Sequence, residues 1–143
     1  MVDFMASPTF VHLNLNWNAE PNAPDPEVCT SGSTIKLRFR LNSWKPGDSH
    51  RNFGFLTFKG CRKWRLGPTN DEGWFLGQCR YSKQAPGWGE FYELKGDDPL
   101  RNAPDDWQVA PCPSDGERHY LFYLREETFE SFANEWAFSE LSS

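Results

Sequence analysis

The sequence lacks any long hydrophobic run, because no stretch approaches the roughly 18 apolar residues of a membrane-spanning helix. Its first residues include Asp3 but no Lys or Arg, and no apolar segment follows them. A secretory signal peptide needs a basic start and an apolar core, so none is expected here. We therefore expect a cytoplasmic protein with no membrane partner.

Cysteines are few, and their spacing does not indicate a metal site. They share no C-x-x-C pair, and none has a His at metal-ligand spacing; they are Cys29, Cys61, Cys79 and Cys112. Because cytoplasmic thiols stay reduced, each is expected to be a small buried apolar side chain. Two disulfides or a zinc site are the alternatives. No cofactor and no metal are expected.

Motifs of known enzymes are also missing. The chain has no nucleophile elbow around a Ser or Cys, no Gly-rich phosphate loop after a strand, and no H-E-x-x-H pair. The sequence thus carries no motif of a known enzyme class. Whether the protein is an enzyme stays open at this point.

What the chain does contain is aromatic residues and turn formers. Aromatic side chains make up 16% of its 143 residues, and it has 11 Gly and 11 Pro. Large rings bury much apolar area each, and a chain of this length can form a core without disulfides or metal. Frequent Gly and Pro indicate short strands joined by loops. The composition favours a single β-rich domain over residues 1–143.

The clearest strand pattern begins at Ile35. Apolar side chains occupy every second position from Ile35 to Leu41, and Lys36, Arg38 and Arg40 occupy the positions between them. This period is typical of a strand with one buried face. Burial of each apolar side chain contributes roughly 1.5–3 kcal/mol. A shift of one residue would bury the cations instead, so the register is firmly set.

Further strands recur at intervals of about ten residues, which is typical of an antiparallel sandwich or barrel with long loops. They are Phe10–Trp17, Phe53–Phe58, Cys61–Leu66, Gly73–Tyr81, Gly89–Leu94, Trp107–Ala110, Arg118–Arg125 and Thr128–Ala133. In the first, alternate residues including Leu15 are expected to face inward. Phe53–Phe58 is apolar on both sides, which predicts a central strand covered on both faces. Trp64 and Leu66 are expected inward, and Lys63 and Arg65 outward. Asn18–Ser33, with three Pro, is predicted to be a loop.

The C-terminal part is predicted to contain a β-hairpin made of Arg118–Arg125 and Thr128–Ala133. If its centre lies between Glu126 and Glu127, His119 is opposite Asn134 and Tyr123 is opposite Glu130. A helix over Glu126–Leu141 is the competing interpretation, because Phe129, Phe132 and Trp136 would form one stripe. We expect a strand to Ala133 and then an irregular tail or a short C-terminal helix.

Charge is unevenly distributed along the chain. Residues Thr34–Arg65 hold nine basic residues and one acid, so they carry +8; because the whole chain carries −5, the remainder carries −13. The preferred interpretation is that the basic strands pair internally with the acidic C-terminal segment. The alternative is an anion-binding face formed by Lys36, Arg38 and Arg40.

Candidate site residues lie mainly in the middle of the chain. Asn70, Asp71 and Glu72 sit on a loop bounded by glycines, where carboxylates can act as acid and base or bind a cation. An Asx-type turn is the structural alternative. His119 and Glu90 are further candidates; a lone His on a strand is more often structural. His119 and Glu130 are also considered as a pair.

Aromatic residues form the last candidate group: Trp44, Trp64, Trp74, Trp88 and Tyr92. Exposed rings on a β surface can stack on bases or sugars, but a small β domain needs such rings for its own core. The pI of about 5.2 argues against a nucleic-acid partner.

Three segments carry a resemblance to a family: Arg65–Glu72, Gly89–Leu94 and Arg118–Glu130. They resemble a group of small uncharacterised bacterial proteins with a Gly-Pro-x-Asn-Asp-Glu loop and a His-aromatic strand ending in Thr-Phe-Glu. The similarity spans roughly half of the chain. It implies a bacterial cytosolic protein and supplies no activity. That group often has Cys where this chain has Ser131, so no thiol-dependent role is expected there.

The leading functional hypothesis is a non-enzymatic binding or interaction domain, immunity-like or accessory, with a protein partner. The second is a carbohydrate-active or other hydrolase-like site that uses Asp71, Glu72, Glu90 and His119 in a cleft lined by Trp74 and Trp88. The third is anion binding through Lys36, Arg38 and Arg40. A homodimer through an edge strand is compatible with any open sheet.

Overall fold

The computed structural model describes residues 8–21, 24–42, 52–68, 81, 85–87, 89–96, 98, 101–102, 104–110, 114–124 and 127–142. These residues form ten strands: β1 Thr9–His12, β2 Glu27–Ser31, β3 Thr34–Arg40, β4 Asn52–Lys59, β5 Lys63–Pro68, β6 Phe91–Lys95, β7 Gln108–Val109, β8 Arg118–Tyr123, β9 Glu127–Ala133 and β10 Glu135–Ser142. The described part of the chain contains no helix, and therefore none long and apolar enough to span a membrane.

The strands build two antiparallel sheets that pack together as a sandwich, which confirms the predicted fold class. One sheet has six strands in the order β1-β6-β8-β9-β5-β7, and the other has four in the order β10-β4-β3-β2. The described strands do not close into a barrel. The predicted strand Gly73–Tyr81 lies outside the described residues, apart from Tyr81.

The predicted register of β3 is confirmed. Ile35, Leu37 and Phe39 are fully buried and face the other sheet, while Lys36 is exposed on the opposite face. β3 pairs with β2 on one side and β4 on the other, so it is a central strand. The Phe39 ring packs so closely on β4 that a Cβ at Gly54 would lie 2.8 Å from it. Only glycine fits there without a shift of the ring.

The hairpin of β8 and β9 is confirmed, but its predicted register is wrong by two residues. His119 lies opposite Phe132 rather than Asn134, and Tyr123 lies opposite Thr128 rather than Glu130. A shift of two leaves each side chain on the face that the sequence predicts, because side chains alternate with a period of two. The face assignment therefore survives the error in register.

The shared core lies between the two sheets and is mainly aromatic. Phe58 from the four-stranded sheet contacts the rings of Tyr120 and Phe129 at centroid distances of 5.3 and 5.4 Å. Phe39 meets Phe122 edge to face at 5.2 Å. Burial removes the Tyr120 hydroxyl from water and raises its pKa to about 12. Trp64 and Leu66 pack against this core from β5, as predicted.

The predicted irregular or helical C-terminal tail is wrong. Glu135–Ser142 is a strand that pairs with β4 along all eight residues. Trp136 and Phe138 pack against the core at a period of two, and the Phe138 ring stacks on Trp17 at 4.3 Å. The free edge of β4 is what selects the strand over the helical stripe, because it supplies a full ladder of hydrogen bonds.

Two predictions near the N-terminus are also wrong. The first strand ends at His12 rather than Trp17, and Leu15 is 74% exposed. Asn14 is buried instead, where its side chain accepts a hydrogen bond from Phe91 N and donates one to Trp17 O. The predicted loop Asn18–Ser33 contains β2. All three Pro residues of the predicted loop precede β2, and pairing with β3 makes Glu27–Ser31 a strand.

The cysteine prediction holds for one of the two that can be placed. Cys61 is buried, and burial raises the pKa of its thiol to about 12. Cys29 is exposed on the edge strand β2, so its predicted burial is wrong. Both are free thiols. Cys79 and Cys112 lie outside the described residues.

Candidate functional site

Many of the predicted site residues cannot be placed. Asn70, Asp71, Glu72, Trp74 and Trp88 all lie outside the described residues. Trp44 does so as well. Glu90, His119, Lys36, Arg38 and Arg40 are described, and the structure distributes them over three separate places.

The first place is a polar network on the outer face of the six-stranded sheet, in which His119 and Glu130 are buried, Arg65 is partly buried and Asp106 is exposed. Glu130 and His119 are both 0% exposed, and His119 Nε2 lies 2.8 Å from Glu130 Oε1. Arg65 Nη1 donates to the other carboxylate oxygen at 3.1 Å. The strand parity of β5, β8 and β9 directs all three side chains away from the shared core and onto this face.

Arg65 also anchors the chain that covers this face. Its Nε and Nη2 donate to the two carboxylate oxygens of Asp106 at 2.7 and 3.0 Å. Burial would lower the pKa of Arg65, but the hydrogen bonds and charges of Asp106 and Glu130 outweigh it and raise the pKa. The hydrogen bond from Arg65 lowers the pKa of Asp106. Arg65 lies on the outer face of the sheet, as predicted. Its side chain is nevertheless only 12% exposed, because other parts of the chain cover that face.

His119 is enclosed by rings and by a second carboxylate. Its ring stacks on Phe132 at 4.5 Å, and Tyr81 meets it edge to face at 6.2 Å. Asp98 lies 3.9 Å from His119 Nδ1 and accepts a hydrogen bond of 2.6 Å from the Tyr81 hydroxyl. In this conformation a substrate cannot reach His119, because neither its ring nor Glu130 is exposed. These contacts hold the chain segments that contain Tyr81 and Asp98 against the outer face of the six-stranded sheet.

Glu90 and His119 do not share a site. The backbone oxygen of Glu90 accepts a hydrogen bond from Tyr123 N, and His119 is four residues before Tyr123 on β8. At about 3.3 Å per residue the two positions are about 13 Å apart along the strand. The hydrolase-like hypothesis expects these two groups around one cleft, and their separation argues against it. Asp71 and Glu72, its other members, lie outside the described residues.

The second place is a pocket beside β1 and β6, which we call the Glu90 pocket. It has a volume of about 270 Å³ and is lined by Phe10, His12, Pro86, Gly87, Glu90 and Tyr92. Glu90 Oε2 lies 2.7 Å from His12 Nε2, and Glu90 Oε1 accepts a hydrogen bond of 3.3 Å from Asn18. Sequence reasoning selected Glu90 and Tyr92 but not His12. No local sequence signal points to His12, because its position opposite Tyr92 comes from the pairing of two strands that are far apart along the chain.

The third place is the outer face of the four-stranded sheet, which we call the open face. Lys36, Arg38 and Arg40 project from β3, and Phe53 and Phe55 project beside them from β4. The Arg38 guanidinium lies 5.0 Å from the Phe53 ring, and Lys36 Nζ lies 5.7 Å from the Phe55 ring. Both rings are only partly buried. The prediction that the strand Phe53–Phe58 is covered on both faces is therefore wrong. Its predicted central position is confirmed.

The cations of the open face differ in their partners. Arg38 pairs with Glu27 and Arg40 with Asp25, and the two carboxylates are 61% and 68% exposed. Lys36 and Lys59 form no ion pair within the described part of the chain. The basic segment is therefore divided between two faces, with its two lysines on β3 and β4 still available to an external acid.

Internal pairing accounts for the other described arginines of the basic segment. Arg65 pairs with Glu130 and Asp106, and Arg62 with Glu117. These carboxylates belong to the acidic C-terminal half, as the preferred charge interpretation predicts. In the described ranges no three His, Cys, Asp or Glu side chains converge on one metal position.

Comparison of the chain with protein-family models, with curated proteins and with solved structures gives no match.

Proposed function

We propose that the protein is a non-catalytic binding module, of the immunity-like or accessory kind, that docks an acidic protein surface on its open face. The observation that carries the proposal is the contrast between the two outer sheet faces. One is buried beneath its own chain, whereas the other presents two partly exposed phenyl rings among cations. Aromatic and Arg side chains are the residues most enriched at protein interfaces.

Charge complementarity supports an acidic partner. Lys36 and Lys59 are exposed and form no ion pair with any residue that the structure describes, and their strands lie side by side. An approaching carboxylate can pair with either lysine without breaking an ion pair among the described residues. The existing pairs of Arg38 and Arg40 are with exposed acids, so an incoming carboxylate can compete with them at little cost.

The mixed charge of the face favours a protein over a nucleic acid. Glu27 and Asp25 lie among the cations, and they would repel a continuous phosphate backbone. The chain as a whole carries a formal charge of −5, which adds to that repulsion. A protein partner can instead place acids over the lysines and donors over the two carboxylates.

The test uses polyglutamate as an acidic polypeptide probe and a single-stranded oligonucleotide of the same charge. We expect polyglutamate to bind the wild type at low salt, with an affinity that falls as salt rises because exposed charges are screened. The double variant Lys36→Gln/Lys59→Gln is expected to bind about tenfold more weakly. Lys95→Gln, an exposed lysine at the end of β6, is the matched control and should bind as the wild type does.

Three results with polyglutamate would overturn the proposal. They are no binding of polyglutamate at low salt, binding that does not respond to salt, and equal losses in the double variant and the control. Tighter binding of the oligonucleotide than of polyglutamate would assign the open face to nucleic acid instead. A substrate screen that finds turnover would contradict the non-catalytic part.

A further inference from the structure

The Glu90 pocket combines an accessible carboxylate with aromatic rings. The side chains of Glu90 and His12 are 30% and 44% exposed, so solvent and small molecules reach both. The pocket does not depend on the open face, because it lies on the other sheet beside β1 and β6. Whatever it binds is a second ligand, distinct from the proposed protein partner.

The aromatic wall is held in place by its own contacts. Phe10 meets Tyr92 edge to face at 5.5 Å and Tyr81 at 5.8 Å. The Tyr92 hydroxyl donates to Gly87 O at 3.2 Å, which fixes the ring against the segment that forms the pocket rim. Phe10 is only partly buried, so part of its side chain stays exposed beside the pocket.

Glu90 supplies a carboxylate to this pocket. Lys and Arg side chains among the described residues do not reach it; its contacts are His12 and Asn18. By contrast, the carboxylates of Glu27, Glu93, Asp106 and Glu130 each contact an Arg. Each oxygen of Glu90 uses one contact and retains further acceptor capacity. The carboxylate can therefore accept hydrogen bonds from a bound cation.

We propose that the Glu90 pocket binds an organic cation, either a guanidinium or an alkylammonium group. Such a group gains a charge-assisted hydrogen bond from the carboxylate and an electrostatic attraction from the face of an aromatic ring. The volume of about 270 Å³ suits one such head group or the end of a basic side chain. His12 contacts Glu90 Oε2 at 2.7 Å and thereby positions the carboxylate at the pocket wall.

The probes are methylguanidinium and butylammonium chloride, with urea as a neutral planar control and an acetylated Lys-Arg dipeptide amide as a peptide source of the same groups. Binding is followed by the amide NMR shifts of Phe10, His12 and Tyr92. We expect saturable shifts with at least one cation and none with urea. If the dipeptide saturates the pocket at much lower concentration than the small cations do, the ligand of the pocket is a basic peptide. If the dipeptide and the small cations bind with equal affinity, the ligand is a free organic cation.

Glu90→Gln keeps the shape of the side chain but removes its charge, and we expect it to weaken binding at least tenfold. Glu135→Gln, an exposed glutamate on β10, is the matched control and should leave affinity unchanged. Phe10→Leu is a second variant that keeps the strand apolar while removing the ring, and it should also weaken binding. Thermal unfolding of each variant shows whether it is folded.

The proposal is overturned if neither cation gives saturable shifts in the wild type, or if urea binds equally well. Wild-type affinity in both folded Glu90→Gln and folded Phe10→Leu would overturn it as well. None of these results depends on polyglutamate binding, so this inference and the proposed function fail separately.

Discussion

The two outer faces of the sandwich carry cations at the same strand period, but they differ in what lies over them. On the six-stranded sheet, Arg65 is 12% exposed and contacts the fully buried Glu130. On the four-stranded sheet, Arg38 is 41% exposed and pairs with a Glu27 that is 61% exposed. The pleat determines the side on which each cation lies, and the covering chain determines how strongly that cation is bound.

This difference separates structural charge from available charge. A buried charge must be paired, because its desolvation costs several kcal/mol. An exposed pair contributes about 0–1 kcal/mol and can be exchanged for another partner. We call the outer face of the six-stranded sheet the covered face. Its residues are therefore expected to control stability, and those of the open face to control binding.

The largest effect is expected from Glu130→Ala on the covered face. The change leaves the partly buried Arg65 and the buried His119 without their shared partner, and breaking a buried pair costs about 3–5 kcal/mol. Because Arg65 keeps Asp106, we expect the lower part of that range. Urea unfolding measures the change. Glu135→Ala, which removes an exposed glutamate from β10, should alter stability little. Equal losses of unfolding free energy in the two variants would contradict the proposed difference between buried and exposed charges.

A smaller effect, on apolar residues, sharpens the same comparison. Leu121 lies on the covered face at 0% exposure, and Leu121→Ala is expected to cost about 2 kcal/mol, the lower end of the range for a buried Leu→Ala change. Phe55 lies on the open face and is only partly buried, so Phe55→Ala should cost less than Leu121→Ala although it removes more atoms. Thermal or urea unfolding of both variants decides the order. A greater loss for Phe55→Ala would show that the open face also supports the fold.

The smallest effect is expected on the acid side of the stability profile. Arg65 lowers the pKa of Asp106 in the folded state, so this pair stabilises the fold above the unfolded pKa of about 3.9. That contribution is lost as the pH falls below about 3.9 and through the folded value. In Asp106→Asn, the free energy of unfolding should therefore fall less steeply as the pH is lowered through this range. Urea unfolding at a series of pH values measures it. Asp105→Asn, a change at the exposed neighbouring residue, is the matched control, and equal changes of the pH profile in the two variants would contradict the role of the Arg65–Asp106 pair.

The strand predictions succeeded where local alternation and burial coincide. Alternation from Ile35 onward gave the strand and its buried face, and the β8–β9 hairpin had the correct faces despite its shifted register. The predictions failed where pairing with a distant strand decided the outcome. β10 and β2 exist because β4 and β3 offer free edges, and Leu15 is exposed because Asn14 takes the interior hydrogen bonds.

The candidate sites followed the same division. Lys36, Arg38 and Arg40 share one face by strand period alone, and that part of the anion-binding hypothesis needed no tertiary information. The proximity of His119 and Glu130 was considered from the sequence, but their burial beneath Asp98 and Tyr81 depends on chain segments far from the hairpin. The contact between His12 and Glu90 joins residues 78 positions apart, so no local pattern contains it.

The amino-acid order by itself determined which side chains share a face, because the two-residue period of a strand is a local property of the backbone. Only the tertiary structure decided which of the two outer faces is covered and which charges become buried. That choice depends on where the long connections lie, and contacts between segments far apart along the chain determine their positions. For this protein, the choice of the covered face decides which cations hold the fold together and which remain available to a partner.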